Sequence, residues 1–314
     1  LKNVYSKRQN MPKKTQIPFQ LTTRLEQQFG HGALQSIISA FNEKRLPTFR
    51  VNILKSNDEE VMRVLRSENI AFERIKDLPH AFKIRNRSDK DLLEHPLCKN
   101  GKIYLQGVAS MLPVLALDPQ PGERVLDLCA APGSKTSQIA AAMKNGQLLA
   151  CDDNEVRFQK LENTLQMQGV NFVETRLQDA ALLYKEFPES FDKILADVPC
   201  SAEGRIDLND PRSYRFWSEK NITAHAKLQR RLLRSAVACL KPGGTLVYST
   251  CTLAPEEDGE MIEWLLATFP ELKTEAFRLP FVSTHPGPAN SLYVLPSRES
   301  EGFFVAKIRK GANC

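Results

Sequence analysis

The sequence predicts an α/β protein: a doubly wound, mostly parallel sheet with an antiparallel tail, preceded by a smaller α/β module. Three observations predict it. From residue 123 onward strands and helices alternate regularly, as in a sheet covered by helices on both faces. Those strands are continuously apolar, which fits burial on both sides. After Pro270 the pattern changes to short alternating runs bounded by turns, the mark of a hairpin.

Taken in order, residues 1–18 are polar and basic and read as a disordered tail, with Met11 a second candidate start beside the unusual Leu1. Phe19 to Phe41 reads as helical, because Leu21, Leu25, Phe29, Leu34, Ile37, Ile38 and Phe41 recur near helical spacing. Thr48–Leu54 alternates as a strand, and alternation puts Arg50 and Asn52 on one face of it. A helix over Asp58–Ser67 follows the capping residue Asn57, and strands follow over Ile70–Ile75 and Ala81–Ile84. The charged segment Ser88–Lys102 reads as loop, which places a boundary near Gly101. The chain thus divides into a tail (1–18), a small module (19–100) and a larger domain (101–314). In the larger domain strands are predicted at Arg124–Cys129, Gln147–Asp152, Asn171–Thr175, Phe191–Asp197 and Gly244–Thr250. Helices are predicted at Ser134–Met143, Glu155–Gln168, Thr223–Leu240 and Glu256–Phe269. Ser291–Leu295 and Gly302–Lys307 form the terminal hairpin.

With 42% hydrophobic and 25% charged residues, the chain is neither low-complexity nor wholly disordered. No apolar run approaches the ~20 residues of a membrane-spanning helix. The net charge of +6 is unevenly spread. Residues 1–14 hold five Lys/Arg and no acid, residues 15–126 hold 16 against 13, and residues 127–314 hold 22 against 24. A basic front ahead of a slightly acidic back half suits a module that grips phosphates before one that does chemistry. A solvated basic tail with no partner explains the charge equally well. The seven cysteines include no C-x-x-C pair, so neither a zinc nor a redox motif is present and no metal is expected. Without an apolar leader, the chain reads as a reduced, cytoplasmic protein.

In open α/β sheets ligands sit beyond the carboxyl ends of the strands. The first of these strands runs into Asp127-Leu128-Cys129-Ala130-Ala131-Pro132-Gly133-Ser134-Lys135-Thr136, whose small residues allow close approach to the backbone at a helix start. It is no phosphate loop, because Ser134 separates Gly133 from Lys135, and the G-x-G-x-x-G fingerprint is absent. Asp152 and Asp153 end the second strand, where an acid can accept from ribose hydroxyls or Asp153 and Asn154 can simply cap a helix. Asp179, after the third strand, meets an adenine amino group or is a surface turn residue. The fourth strand ends in Asp197-Val198-Pro199-Cys200-Ser201 and the fifth in Tyr248-Ser249-Thr250-Cys251-Thr252. Cys129, Cys151 and Cys239 read as small buried hydrophobes. Cys200 and Cys251 stand at matched strand ends lining one crevice, and Lys135 can supply the positive surroundings that a reactive thiol needs.

In these residues the chain resembles the Sun-type family of RNA cytosine-C5 methyltransferases, which use S-adenosylmethionine. The resemblance covers residues 46–309. It is carried by Arg50-Val51-Asn52, Tyr104-Leu105-Gln106 with Ser110-Met111, Asp127 to Thr136, the Asp197–Ser201 and Tyr248–Thr252 motifs, and Glu301-Gly302-Phe303-Phe304-Val305. It implies a Rossmann-like methyltransferase domain behind an RNA-binding module. It further implies that Cys129, Ala130, Ala131, Pro132, Gly133, Ser134 and Lys135 wrap the methionine and ribose portion of the cofactor. Asp152 would hold the ribose and Asp179 the adenine, with Asp197 where cofactor meets target base and Lys135 beside it. Cys251 would be the nucleophile and Cys200 the thiol that assists product release.

The chemistry accounts for the thiol. Cytosine C5 is a poor nucleophile until a thiolate adds at C6, and loss of the C5 proton then expels the enzyme. The base for that proton is Cys200 or a water. The target must leave its stack, which favours loops or opened RNA. The chain departs from the family pattern at Val198 (commonly Ala), at Ala202 (commonly Gly) and at Glu257-Asp258-Gly259 (commonly Glu-Asn-Glu). No substrate-contacting role is carried over to Arg205, Arg212 or Arg215, and Phe216 and Trp217 stack on bases or fill the core. The expected partner of this monomer is RNA, ribosomal ahead of transfer RNA. The rival reading is a ribosome assembly factor that binds cofactor without methylating.

Overall fold

A computed structural model of the protein describes residues 17–279 and 282–312. All but the last two residues of the expected basic tail, and Cys314, lie outside the described residues. Two helices come first, α1 (Phe19–Phe29) and α2 (His31–Asn42). Where a single helix is predicted, Gly30 interrupts it with φ +81°, a conformation open to glycine and strained for other residues. The small module follows as β1 (Thr48–Val51), α3 (Asp58–Ser67), β2 (Phe72–Arg74), β3 (Ala81–Ile84), α4 (Asp89–Glu94), α5 (Pro96–Lys99) and β4 (Ile103–Leu105). Its antiparallel sheet has the order β2-β3-β1-β4, a split βαβ arrangement of ferredoxin-like type. The fourth strand lies past Gly101. The segment read as a loop holds two short helices, because Ser88 and Asp91 form a capping box that starts α4 while Leu92, Leu97 and Cys98 face the core.

The larger domain begins with α6 (Val108–Leu117), a helix the sequence reading lacks. It is buried nearly all round, so it shows no amphipathic period, and it contains Pro113. Then come β5 (Arg124–Asp127), α7 (Ser134–Met143), β6 (Gln147–Asp152), α8 (Glu155–Gln168), β7 (Val173–Leu177), β8 (Phe191–Asp197), α9 (Glu219–Cys239), β9 (Leu240–Thr250) and α10 (Gly259–Thr268). The tail adds β10 (Leu272–Thr274), β11 (Thr284–Pro286), β12 (Leu292–Val294) and β13 (Phe303–Lys310). The sheet order is β11-β12-β13-β9-β8-β5-β6-β7, with β10 against β13. Strands β5 to β9 pair in parallel and the tail strands antiparallel, as predicted. Boundaries shift in several elements: β1 ends three residues early at Val51, β5 ends two residues early at Asp127, and β13 runs three residues further to Lys310. β7 starts and ends two residues late to keep parallel register with β6; α9 starts early because Ser218 accepts from the Asn221 N–H; α10 starts late, behind a 3₁₀ turn at Pro255–Glu257; and β9 extends back to Leu240.

Packing ties the parts together. The apolar faces of α1 and α2 (Leu21, Leu25, Phe29, Leu34, Ile37, Phe41) belong to the core beneath the large sheet, alongside Leu126, Leu246 and Tyr248. The small sheet has its own core around Phe49, Phe82 and Ile103. The shared face of Arg50 and Asn52 points at the larger domain. The Arg50 guanidinium donates to Gln106 Oε1 (2.9 Å), Ser137 Oγ (2.5 Å) and the Ser134 carbonyl (3.2 Å). Asn52 Nδ2 donates to the carbonyls of Gly101 (2.8 Å) and Gln168 (2.7 Å). Each buried donor is thereby satisfied across the joint. No described helix is long and apolar enough to cross a membrane.

Gly101 sits at this joint with φ +68°, and a Cβ there would lie 2.0 Å from the Met167 carbonyl oxygen. Gly101→Ala should therefore destabilise the chain by more than about 2 kcal/mol, through combined backbone strain and collision. Thermal unfolding checks it, and a variant melting with the wild type would contradict the joint described.

Candidate active site

The site grows from the ends of three strands. β5 lies between β6 and β8, so the strand order reverses there and a crevice opens between the loops leaving β5 and β8. A cavity of about 590 Å³ occupies it. Cys129, Ala130, Ala131, Pro132, Ser134, Lys135, Asp197, Cys200 and Cys251 all line this cavity. Gly133, Asp152 and Asp179 do not.

Asp127 closes β5 and faces the cavity while buried. Thr136 donates to its Oδ2 at 2.7 Å, and its Oδ1 has no hydrogen-bond partner among the described residues. Burial pushes this carboxyl up to about 7. The loop after it is held by the Ala130 N–H on the Cys151 carbonyl (2.8 Å) and by Asp152, whose Oδ2 accepts from the Ala131 N–H (3.2 Å). Arg157 pairs with the same oxygen at 3.2 Å, so Asp152 braces the loop from behind. Asp179 caps a 3₁₀ turn through the Ala181 N–H (2.9 Å) and pairs with Arg231 (3.0 Å). Asn154, the alternative cap on β6, does cap α8.

Lys135, on the first turn of α7, meets Asp197 Oδ2 at 2.7 Å and donates to Ser110 Oγ at 2.9 Å. Its ammonium lies 5.7 Å from the centre of the Phe303 ring. Burial opposes the charge, but Asp197, with help from Asp127 and Cys251, outweighs it and holds the ammonium above its ordinary value. The other oxygen of Asp197 accepts from Ser249 Oγ at 2.8 Å. Across the cavity the sulfurs of Cys200 and Cys251 stand 3.3 Å apart, as free thiols. The hydrogen bond to Cys251, together with burial, raises Cys200 well above the ordinary thiol range. Burial likewise raises Cys129, and pushes Cys151 up to about 12 and Cys239 up to about 11.

Behind the thiols lies a layer that sequence reasoning missed. The buried Glu257 carboxylate accepts from the Ser201 N–H (3.1 Å) and from Gln229 Nε2 (2.8 Å), and the same amide donates to the Pro199 carbonyl (2.9 Å). One carboxylate thus braces the backbone on both sides of Cys200. Thr250, beside Cys251, donates to Asp258 Oδ1 at 2.6 Å. Only the place of this acidic pair shortly after Cys251 hinted at it. Arg205 also lines the cavity, its Nε 3.4 Å from Glu301, whereas Arg212 and Arg215 do not. Trp217 packs against the core and donates to Glu203 at 2.7 Å, while Phe216 is exposed with Arg215 4.4 Å above its ring. No cluster of His, Cys, Asp or Glu that could hold a metal occurs among the described residues.

A switch-point cavity with an acid at the end of β5 and paired thiols at the ends of β8 and β9 is a Rossmann-like site of thiol-bearing type. The family model for "16S rRNA methyltransferase RsmB/F" matches residues 114–309, and that for the RsmF/B-like ferredoxin-like domain matches residues 18–90. The chain belongs to this RsmB/F family, in agreement with the Sun-type resemblance. Among its relatives, ribosomal RNA small subunit methyltransferase F of Cronobacter sakazakii is 38% identical over 90% of this chain and 60% of its own length. The tRNA (cytosine(49)-C(5))-methyltransferase of Pyrococcus abyssi is 35% identical over 84% of this chain and 88% of its own length. A crystal structure of a methyltransferase homologue from Pyrococcus horikoshii superposes with a TM-score of 0.80 at 33% identity, covering 92% and 93% of the two chains. The chain spans about 60% of the length of the ribosomal RNA relatives.

Buried carboxyls give the stability a pH signature. Burial pushes Glu203 up to about 7, from 4.5 in an open chain, and does the same to Glu257. Between these limits the unfolded chain releases a proton that the folded chain keeps, so stability falls as pH rises from about 5 to 7 and is level above. Each such group accounts for about 3 kcal/mol at most. Glu203→Gln, which still accepts from Trp217, should flatten the decline measured by denaturant unfolding at several pH values. An unchanged slope would mean Glu203 is not the buried acid described.

Proposed function

We propose that the protein is an S-adenosylmethionine-dependent RNA cytosine-C5 methyltransferase, with ribosomal RNA as its substrate and the cytoplasm as its place of action. The observation that carries this reading is the pair of sulfurs 3.3 Å apart beside the Lys135–Asp197 ion pair. The unpartnered Oδ1 of Asp127 supports the cofactor, because a buried carboxylate oxygen in a cavity wall calls for a donor such as the ammonium of a methionine portion. The loop Cys129–Lys135 would then hold the rest of that portion, with Asp152 and Asp179 toward the ribose and adenine. When bound, S-adenosylmethionine supplies an electrophilic methyl group.

The chain's own residues do the rest. The Cys251 thiolate adds to C6 of cytosine, forming an S–C6 bond and making C5 electron-rich. Asp197, held by Lys135 and Ser249, would bond the N3/N4 edge of the base, with N3 protonated so that the charge brought by the thiolate is neutralised. Once C5 is methylated, its proton leaves to a base, either Cys200 or a water, and the electron pair of the C5–H bond expels Cys251 as thiolate. Ribosomal RNA is favoured by the relatives named for it. Transfer RNA is the second reading, because the Pyrococcus abyssi relative is matched over nearly its whole length.

Labelled S-adenosylmethionine with unmodified small-subunit ribosomal RNA, or with transfer RNA, tests this. The wild type should form 5-methylcytosine, Cys251→Ala should form none, and Cys200→Ala should accumulate a denaturation-resistant RNA adduct. Full activity in Cys251→Ala would refute the nucleophile. A wild type that binds cofactor yet methylates neither RNA would favour the assembly-factor reading.

A further inference from the structure

The active cavity does not end at Arg205. A second hollow of about 270 Å³ adjoins it and shares Leu105, Gln106, Gly107, Arg205 and Glu301 with its wall. Together they form one trough from the thiols to the segment that enters β1. Arg45 lines the far part of this trough. Its Nε is buried without a hydrogen-bond partner, and the guanidinium makes no ion pair among the described residues. Of the acids nearby, Glu301 pairs with Arg205 and Glu299 with Lys83 at 3.0 Å, while Glu301 and Asp207 act on Arg45 only through space, without an ion pair. Asp89, the other acid of this wall, makes no ion pair with Arg45. A guanidinium that lines the hollow without an ion pair can bind an oxyanion through its planar fork of donors.

Resting on the methyltransferase reading, we infer that the trough carries the RNA strand away from the flipped cytosine and that Arg45, with Arg205 nearer the thiols, binds a backbone phosphate next to the target nucleotide. Base extrusion explains why such a grip belongs here: a nucleotide swung out of its stack must be held by its neighbouring phosphates. Burial lowers the Arg45 guanidinium from its ordinary value, Glu301 and Asp207 offset part of this, and the neighbouring Arg205 adds to it, so two cations face the trough together. Arg212, fully on the surface and paired with Asp210, has no such vacancy and serves as control.

The test measures equilibrium binding of the full chain to unmodified small-subunit ribosomal RNA over a potassium chloride series, beside S-adenosylmethionine binding and thermal melting. Arg45→Gln should weaken RNA binding about tenfold and lower the salt slope by about 1, with cofactor affinity and melting unchanged. Arg45→Lys should restore the slope but only part of the affinity, since it keeps the charge and loses the fork. Arg212→Gln should match the wild type. If Arg45→Gln keeps wild-type affinity and slope, or loses cofactor affinity and melting temperature as well, the phosphate site is wrong. A wild type that binds this RNA without transferring a methyl group refutes the methyltransferase reading instead, and the same salt series still decides the role of Arg45.

Discussion

Lys135 and Asp197 meet at 2.7 Å across the line where the strand order reverses, and four segments converge on that contact. Lys135 comes from the first turn of α7 and Asp197 from the last residue of β8. Ser110 on α6 accepts from the ammonium, and Phe303 on β13 lies beneath it. A buried ion pair is weak evidence for stability, because desolvation offsets much of its attraction, whereas removing one partner leaves a stranded charge. Its presence in the wall of the cavity is better explained by what it holds in place. With Asp197 held by Lys135 on one oxygen and Ser249 on the other, the carboxylate is fixed in the wall of the cavity that the thiols share.

The two thiols are not equivalent, and the difference comes from their neighbours. Lys135 and Arg205 both lie within electrostatic reach of Cys251 and line the cavity with it. Glu257 stands behind Cys200 and, after the Cys251 hydrogen bond and burial, adds to what keeps that thiol protonated. In the proposed reaction the first of these sulfurs attacks and the second assists release. The asymmetry depends on carboxylates that burial makes costly, which is the sort of expense functional sites accept.

Much of the large sheet could be read from sequence because its signals are local. β6, β8, α7 and α8 have the predicted bounds, since strand-ending acids, Gly133 and Asn154 mark them. α6 left no trace, for a helix buried on every side has no polar face to mark its period. Arg50 and Asn52 were legible as sharing a face but not as facing the larger domain, because alternation gives sides and not destinations. Likewise the thiol pair could be placed at matched strand ends, whereas the bracing by Glu257, Gln229 and Asp258 arises only when α9 and the turn before α10 close over the site. Arg205 enters the cavity from a loop that starts with Ala202 at φ +60°, a geometry no composition announces.

The joint made by Arg50, Asn52 and Gly101 also fixes a length. Its donors are buried and satisfied on both sides, so the small sheet cannot swing relative to the thiols without leaving polar groups unpaired. The two parts therefore act as a ruler. On the proposed reading, an RNA that touches both would present its cytosine at one set separation from the small sheet, and selection among otherwise similar cytosines would be a matter of distance along a folded strand as much as of neighbouring bases.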